Sequence, residues 1–189
     1  MQLLDFIESI EYSRTDKYDL GYIHEFYNNL FTPRKTSCRN LLEIGIYHGH
    51  SIQLWRDYFN NAEITGVDIQ YHSELNDLRR INLIYQDAYT TEFIKQLPQK
   101  HYDIIIDDGP HTFDTQLFFS RYYESLLRPG GIMILEDIID ITYTEFFLHE
   151  VNKWGSGHVV HMAGKSRTQE LKTQWQFGLD VIVVKKNEI

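Results

Sequence analysis

The 189-residue chain carries a formal charge of −9, with 42% hydrophobic and 24% charged residues, and is long enough to bury one core as a single domain. The acidic balance opposes sequence-independent nucleic-acid binding, which depends on Lys and Arg neutralising phosphates. The lone cysteine, Cys38, excludes an internal disulfide and suits a reducing compartment; with no signal peptide or membrane span expected, a cytoplasmic location is the default.

Leu3, Leu4, Phe6, Ile7 and Ile10 recur at helical spacing and predict a short helix over residues 1–10. A polar stretch, SRTDKYD, follows. Tyr22, Ile23, Phe26, Tyr27 and Leu30 predict a second helix, stopped by Thr32-Pro33. Neither helix has a strand beside it in sequence, so residues 1–35 are expected to form a helical cap over an α/β core at 40–189.

From residue 40 strands and helices alternate. NLLEIGI (40–46), AEITGVDI (62–69), INLIYQDA (81–88), the run from Tyr102 to Ile106, and IMILED (132–137) read as buried strands. Between them lie HSIQLWRDYF (50–59), a polar helical turn SELNDLRR, TEFIKQL before Pro98, and a helix from Phe113 to Leu127; RPGG (128–131) reads as a turn. This is the signature of βαβ units and a mostly parallel sheet. After a further helix, TYTEFFLHEVNKW, the strands HVVHMAG (158–164) and LDVIVVKK (179–186) have no helix between them and are expected to close the sheet as an antiparallel hairpin. The polar segment joining them is long enough to suggest a functional loop, with Lys165, Arg167, Lys172 and Trp175 in it.

The chemistry concentrates at YDIIIDDGPHTFDTQ, residues 102–116, where a buried strand runs into Asp107, Asp108, Gly109, Pro110 and His111. Open α/β sheets bind ligands at such carboxyl ends. Gly45 and Gly49, between the first strand and its helix, let backbone approach a ligand, or simply form a tight turn; their spacing lacks the full G-x-G-x-x-G fingerprint. Asp68, ending the second strand, suits the hydroxyls of a ribose, and Asp87, ending the third, an adenine edge; a helix cap or surface acid is the plain alternative for each.

LLEIGIYHGHS, TGVDIQ, YQDA, YDIIIDDGPH and LLRPGGIMILED together resemble, in order and spacing, the class I S-adenosylmethionine-dependent methyltransferases. Within them the chain looks like the metal-dependent macrolide sugar O-methyltransferases (the mycinamicin methyltransferase type) and the related cephalosporin hydroxylase-like proteins, sharing also TDK at Thr15–Lys17. The resemblance spans residues 13–140 and implies a Rossmann-like seven-stranded sheet. It implies that Glu43, Gly45, Gly49 and Ser51 line the methionine and ribose side of S-adenosyl-L-methionine, Asp68 the ribose, Asp87 and Ala88 the adenine, with Asp107 also against the cofactor. Asp108 and Asp137 match metal ligands, Glu136 a third, and His111 the general base acting with Asp108. The histidine that usually follows TDK is missing: Leu20 stands near that place and His24 falls later.

In the class I sheet order, strands four and five are neighbours, so Asp108, Glu136 and Asp137 end side by side. Carboxylates converging there repel unless a cation joins them. Oxygen ligands favour Mg²⁺, then Mn²⁺ or Ca²⁺. Such an ion orients and acidifies a substrate hydroxyl, whose proton an imidazole titrating near neutrality can take. The expectation is O-methyl transfer to a hydroxylated small molecule such as a sugar; the oligomeric state stays open, with a homo-oligomer suggested only by the resemblance, whose members associate through such caps. An NAD-dependent oxidoreductase, a nucleic-acid methyltransferase and an inactive cofactor-binding subunit are the alternatives. The incomplete glycine fingerprint opposes the first, and the acidic charge with no Asn/Asp-Pro-Pro-Tyr motif the second.

Overall fold

A computed structural model describes residues 1–10, 15–70, 75, 78–162, 165 and 180–188. Seven strands form one sheet: β1 (Asn40–Ile44), β2 (Glu63–Asp68), β3 (Ile81–Tyr85), β4 (Tyr102–Asp107), β5 (Leu127–Ile138), β6 (Gly155–His161) and β7 (Asp180–Lys186). Their order is β3-β2-β1-β4-β5-β7-β6. The first five pair in parallel, while β7 runs antiparallel to both β5 and β6, as the terminal hairpin predicts. The helical turn expected at 73–80 falls largely outside the described residues, as does the segment at 164–178. Among the described residues no helix is long and apolar enough to cross a membrane.

The sheet is the middle of three layers because its central strands are apolar on both faces. In β4 every residue is buried. Side chains alternate along a strand, so Ile104 and Ile106 join one hydrophobic cluster and Ile105 the other. The second cluster lies against α5 (Thr91–Gln96), α6 (Phe113–Tyr122) and α7 (Ile141–Val151). The first lies against α4 (His50–Tyr58) and the N-terminal elements α1 (Leu3–Ser9), α2 (Asp16–Asp19) and α3 (Asn28–Phe31). Leu3, Ile7, Tyr27 and Phe31 are buried in the same cluster as Trp55 and Tyr58, and the Tyr27 and Phe31 rings sit 5.2 and 5.0 Å from that of Trp55. The N-terminal helices thus complete a layer of the sandwich.

Three local features depart from the sequence reading. The helix expected at 22–30 is wound as a π turn at Ile23–Tyr27 before α3. The polar stretch before it contains α2, whose first turn is capped by the Thr15 hydroxyl accepting from the Lys17 amide. RPGG does interrupt regular structure, but within β5. Leu127 pairs with Tyr102 and Ile132 with Ile104, so five steps on β5 oppose two on β4, with Gly130 at φ +73°.

Because α1 is core, Leu3→Ala and Ile7→Ala should each cost about 2–4 kcal/mol, read from urea unfolding; losses below ~0.5 kcal/mol would mean a detachable cap.

Candidate active site

The carboxyl ends of β1, β4 and β5 bring four acids together. Glu43 lies in β1, Asp108 follows β4, and Glu136 and Asp137 lie in β5. Parallel pairing of β4 with β5 at Asp107↔Leu135 puts Asp108 and the Glu136-Asp137 pair alongside each other. Into them projects Lys17 from α2, with 2% of its side chain exposed. Its ammonium lies 2.5 Å from Asp108 Oδ2 and 3.6 Å from Glu43 Oε1, and also donates to Glu136 Oε2. Burial pushes the Lys17 pKa down, but Asp108, Glu136 and Glu43 outweigh it and hold the ammonium well above its ordinary value.

One ammonium cannot neutralise three carboxylates in a dry site. Burial raises Glu43 to about 7 against the opposing pull of Lys17. Two tyrosines at the two ends of the π turn complete the network: Tyr27 donates to Glu136 Oε1 at 2.5 Å, and Tyr22, its N-cap, donates to Asp137 Oδ1. A π turn hydrogen-bonds i→i+5, which suits two tyrosines five residues apart that must reach the same pair of acids.

On the solvent side, Asp108, His111 and Asp137 form a second group. Each offers a ligand atom within 4.8 Å of the others'. His111 Nε2 is 3.8 Å from Asp108 Oδ1 and 3.6 Å from Asp137 Oδ2. Both His111 and Asp137 have φ +55°, a left-handed conformation that His and Asp adopt more readily than most residues. With the backbone turned in this way at both positions, the two side chains meet at 3.6 Å. Glu136, expected beside them as a metal ligand, is not in this group. It is fully buried, and its two oxygens face Lys17 and Tyr27.

A cleft of about 530 Å³ adjoins this group, a size usual for small-molecule sites. Gly45, Asp68, Asp87, Ala88, Tyr89 and Asp108 are among its walls. Gly45, at φ +87°, has no room for a side chain: a Cβ would stand 1.9 Å from the Asp108 carbonyl oxygen. Asp68 braces the loop after β1, its Oδ2 accepting from the Ile46 and Tyr47 amides at 2.9 and 3.4 Å. Asp87 Oδ1 accepts from the Tyr89 amide at 2.9 Å. A second, smaller recess of about 200 Å³ meets the cleft at Tyr47 and Asp108 and includes Thr15, Asp16, Asp19 and Ser51.

Three residues expected against the cofactor stand behind these walls. Glu43 is fully buried; it accepts from Trp55 Nε1 at 2.8 Å and is hydrogen-bonded to Ser51. Asp107 is turned to the Tyr89 hydroxyl, and burial raises its pKa to about 7. Gly49 caps α4 at φ +73°, against Leu75. The sequence reading missed Lys17, Tyr22 and Tyr27. TDK, shared with the resembled family, was the one signal at Lys17, and a lysine on so polar a stretch carries no local mark of burial. Lys165 pairs with Glu25 at 3.0 Å, while Arg167, Lys172 and Trp175 lie outside the described residues.

A seven-stranded sheet of this order, with a ligand-sized cleft at its strand ends, is the fold of a class I methyltransferase. The chain belongs to the methyltransferase domain family, whose model matches residues 42–138, from β1 to the end of β5. It is 30% identical over 131 residues to the mycinamicin VI 2''-O-methyltransferase of Micromonospora griseorubida, covering 62% of this chain and 32% of that protein. A tetracenomycin-C rhamnosyl 3'-O-methyltransferase of Streptomyces olivaceus is 29% identical over 134 residues, covering 66% of this chain and 34% of its own length. Among solved structures, the MycE methyltransferase of the mycinamycin pathway, in complex with Mg and SAH, superposes with a TM-score of 0.57 at 28% identity, over 71% of this chain and 39% of that one. The chain thus spans about a third of the length of the curated relatives it matches.

Removing Lys17 leaves Glu136 and Glu43 buried without their counter-ion, so Lys17→Met should cost about 3–5 kcal/mol in urea unfolding. A loss below ~1 kcal/mol would mean that the network is not formed. Glu43 and Asp107 both have pKa values raised to about 7 from 4.5 and 3.8, so the folded chain holds more protons than the unfolded one between those limits. Their stabilising contribution is complete below their unfolded values and is lost as pH rises through 7. Urea midpoints should therefore be higher near pH 5.5 than near pH 8, and Asp107→Asn should flatten that slope.

Proposed function

We propose that the chain carries the catalytic core of an S-adenosylmethionine-dependent O-methyltransferase that methylates a hydroxyl of a glycosylated small molecule with help from a divalent cation. The observation that carries this reading is the position of Asp108. It lines the cleft suited to a nucleoside and belongs at the same time to the group with His111 and Asp137. A methyl donor in the cleft and a hydroxyl at the acids would meet there.

The cleft fits the adenosyl group in its chemistry: Asp68 can accept from ribose hydroxyls and Asp87 and Ala88 border an adenine site. S-Adenosylmethionine supplies an electrophilic methyl group for in-line displacement. Asp108 and Asp137 fit a hard cation, since Mg²⁺ commonly takes one or two protein carboxylates and fills its remaining positions with other oxygens. Such an ion, when bound, acidifies and orients the acceptor hydroxyl. His111 stands beside both carboxylates and removes that hydroxyl's proton. Lys17, Tyr22 and Tyr27 hold the carboxylates in place, so positioning accounts for much of the rate. Beyond Asp137 the exposed Ile139 and Ile141 offer an apolar rim to the body of such an acceptor. The mycinamicin VI and rhamnosyl tetracenomycin-C O-methyltransferases named above act on glycosylated natural products, which supports this choice of acceptor.

Titration calorimetry should detect S-adenosylhomocysteine binding, weakened by Asp68→Ala; no binding to the unaltered chain would contradict the cofactor assignment. With a glycosylated acceptor, EDTA should abolish transfer while leaving cofactor affinity within about 2-fold, and added Mg²⁺ should restore it. His111→Ala should lower kcat by about 10²- to 10⁴-fold with cofactor affinity unchanged. Undiminished turnover in metal-free buffer, or by the His111 variant, would refute those roles.

A further inference from the structure

Tyr89 sits just past the end of β3, where its amide is held by Asp87, and its ring lies edge-on to Phe118 with centroids 6.4 Å apart. Tyr89 is part of the cleft wall, with Asp87, Ala88 and Pro110. Its hydroxyl crosses to the end of β4 and donates to Asp107 Oδ1 at 2.5 Å. Asp107 is only 2% exposed, and its carboxylate also receives a backbone hydrogen bond from Gly109. The crossing needs a glycine at 109, because a Cβ there would lie 2.0 Å from the Tyr89 hydroxyl oxygen. A buried carboxylate is costly unless it is hydrogen-bonded, and here its side-chain partner is a phenol in the wall of the ligand cleft. Asp107, Gly109 and Tyr89 therefore form one tie that fixes an aromatic side chain at the cleft.

Resting on the nucleoside reading of this cleft, we propose that Tyr89 is the aromatic platform for the cofactor's base and that Asp107 is its positioning residue, acting through the Tyr89 hydroxyl. Aromatic side chains bind bases by stacking, which needs a flat face in the correct orientation more than a specific donor. A ring tied at its hydroxyl and packed on Phe118 has lost its freedom before the ligand arrives, which strengthens binding by lowering the ordering cost. Asp107 thus serves the nucleoside without touching it.

Calorimetric titration with S-adenosylhomocysteine, and separately with adenosine, tests this, with melting temperatures recorded for every variant. Tyr89→Ala should weaken both ligands, roughly 5- to 150-fold. Tyr89→Phe keeps the packing but loses the tie, and should weaken both by a smaller factor. Asp107→Leu should match Tyr89→Phe, and the double variant should be no weaker than either single one, since a residue acting through the hydroxyl has nothing further to lose. Unchanged affinity in Tyr89→Ala would overturn the platform, and additive losses in the double variant would overturn the positioning role. If the unaltered chain binds neither ligand, the cofactor reading itself falls and this inference with it.

Discussion

Like charges held close together in a dry interior are the constraint around which this molecule is built. Glu43, Asp108, Glu136 and Asp137 come from three neighbouring strand ends, and parallel pairing leaves them no way to avoid one another. Lys17 answers the inner part of that problem, and its ammonium is held by three of the four. The outer part, Asp108 and Asp137 with His111 between them, faces the cleft side. In a low-dielectric setting such an arrangement favours whatever brings positive charge. The sheet's architecture and its chemistry are consequences of the same register.

This links the N-terminal helices to function as well as to stability. α1 and α3 bury apolar side chains against α4, while α2 and the π turn deliver Lys17, Tyr22 and Tyr27 to the acids. Displacing that layer would expose the core and release Glu136 and Asp137 together. The loops after β1 and β4 are braced in turn: Asp68 holds the first, and the Asp108 carbonyl packs against Gly45. A rigid mouth of this kind suits a transfer reaction in which two bound molecules must be aligned.

Much of this was legible in the sequence. Apolar runs ending in Gly or Asp marked the parallel strands, and the missing helix before LDVIVVKK marked the antiparallel closure, because those signals are local and periodic. The convergence of Asp108 with Asp137 followed from strand order. What was hidden depended on side-chain direction. Glu43 and Asp107 sit where a ligand-facing acid belongs in sequence, yet each is turned inward, to Trp55 and to Tyr89. Glu136 and Asp137 are neighbours in one strand, but their side chains take opposite duties, one to the interior lysine and one to the outer group. The burial of Lys17 has no sequence signal, since only tertiary packing supplies its partners. RPGG was read as a turn before the fifth strand, but β5 runs through it with an irregular register, because whether such a break ends a strand or bulges within one is decided by the partner strand.

The central claim, that the outer acids form a cation site beside a nucleoside cleft, is tested most directly by Mn²⁺ binding followed by electron paramagnetic resonance with S-adenosylhomocysteine present. The account predicts a single bound ion per chain, with Asp108→Asn and Asp137→Asn each weakening it by at least ~10-fold while the nucleoside still binds. Mn²⁺ affinity indifferent to both substitutions would contradict it.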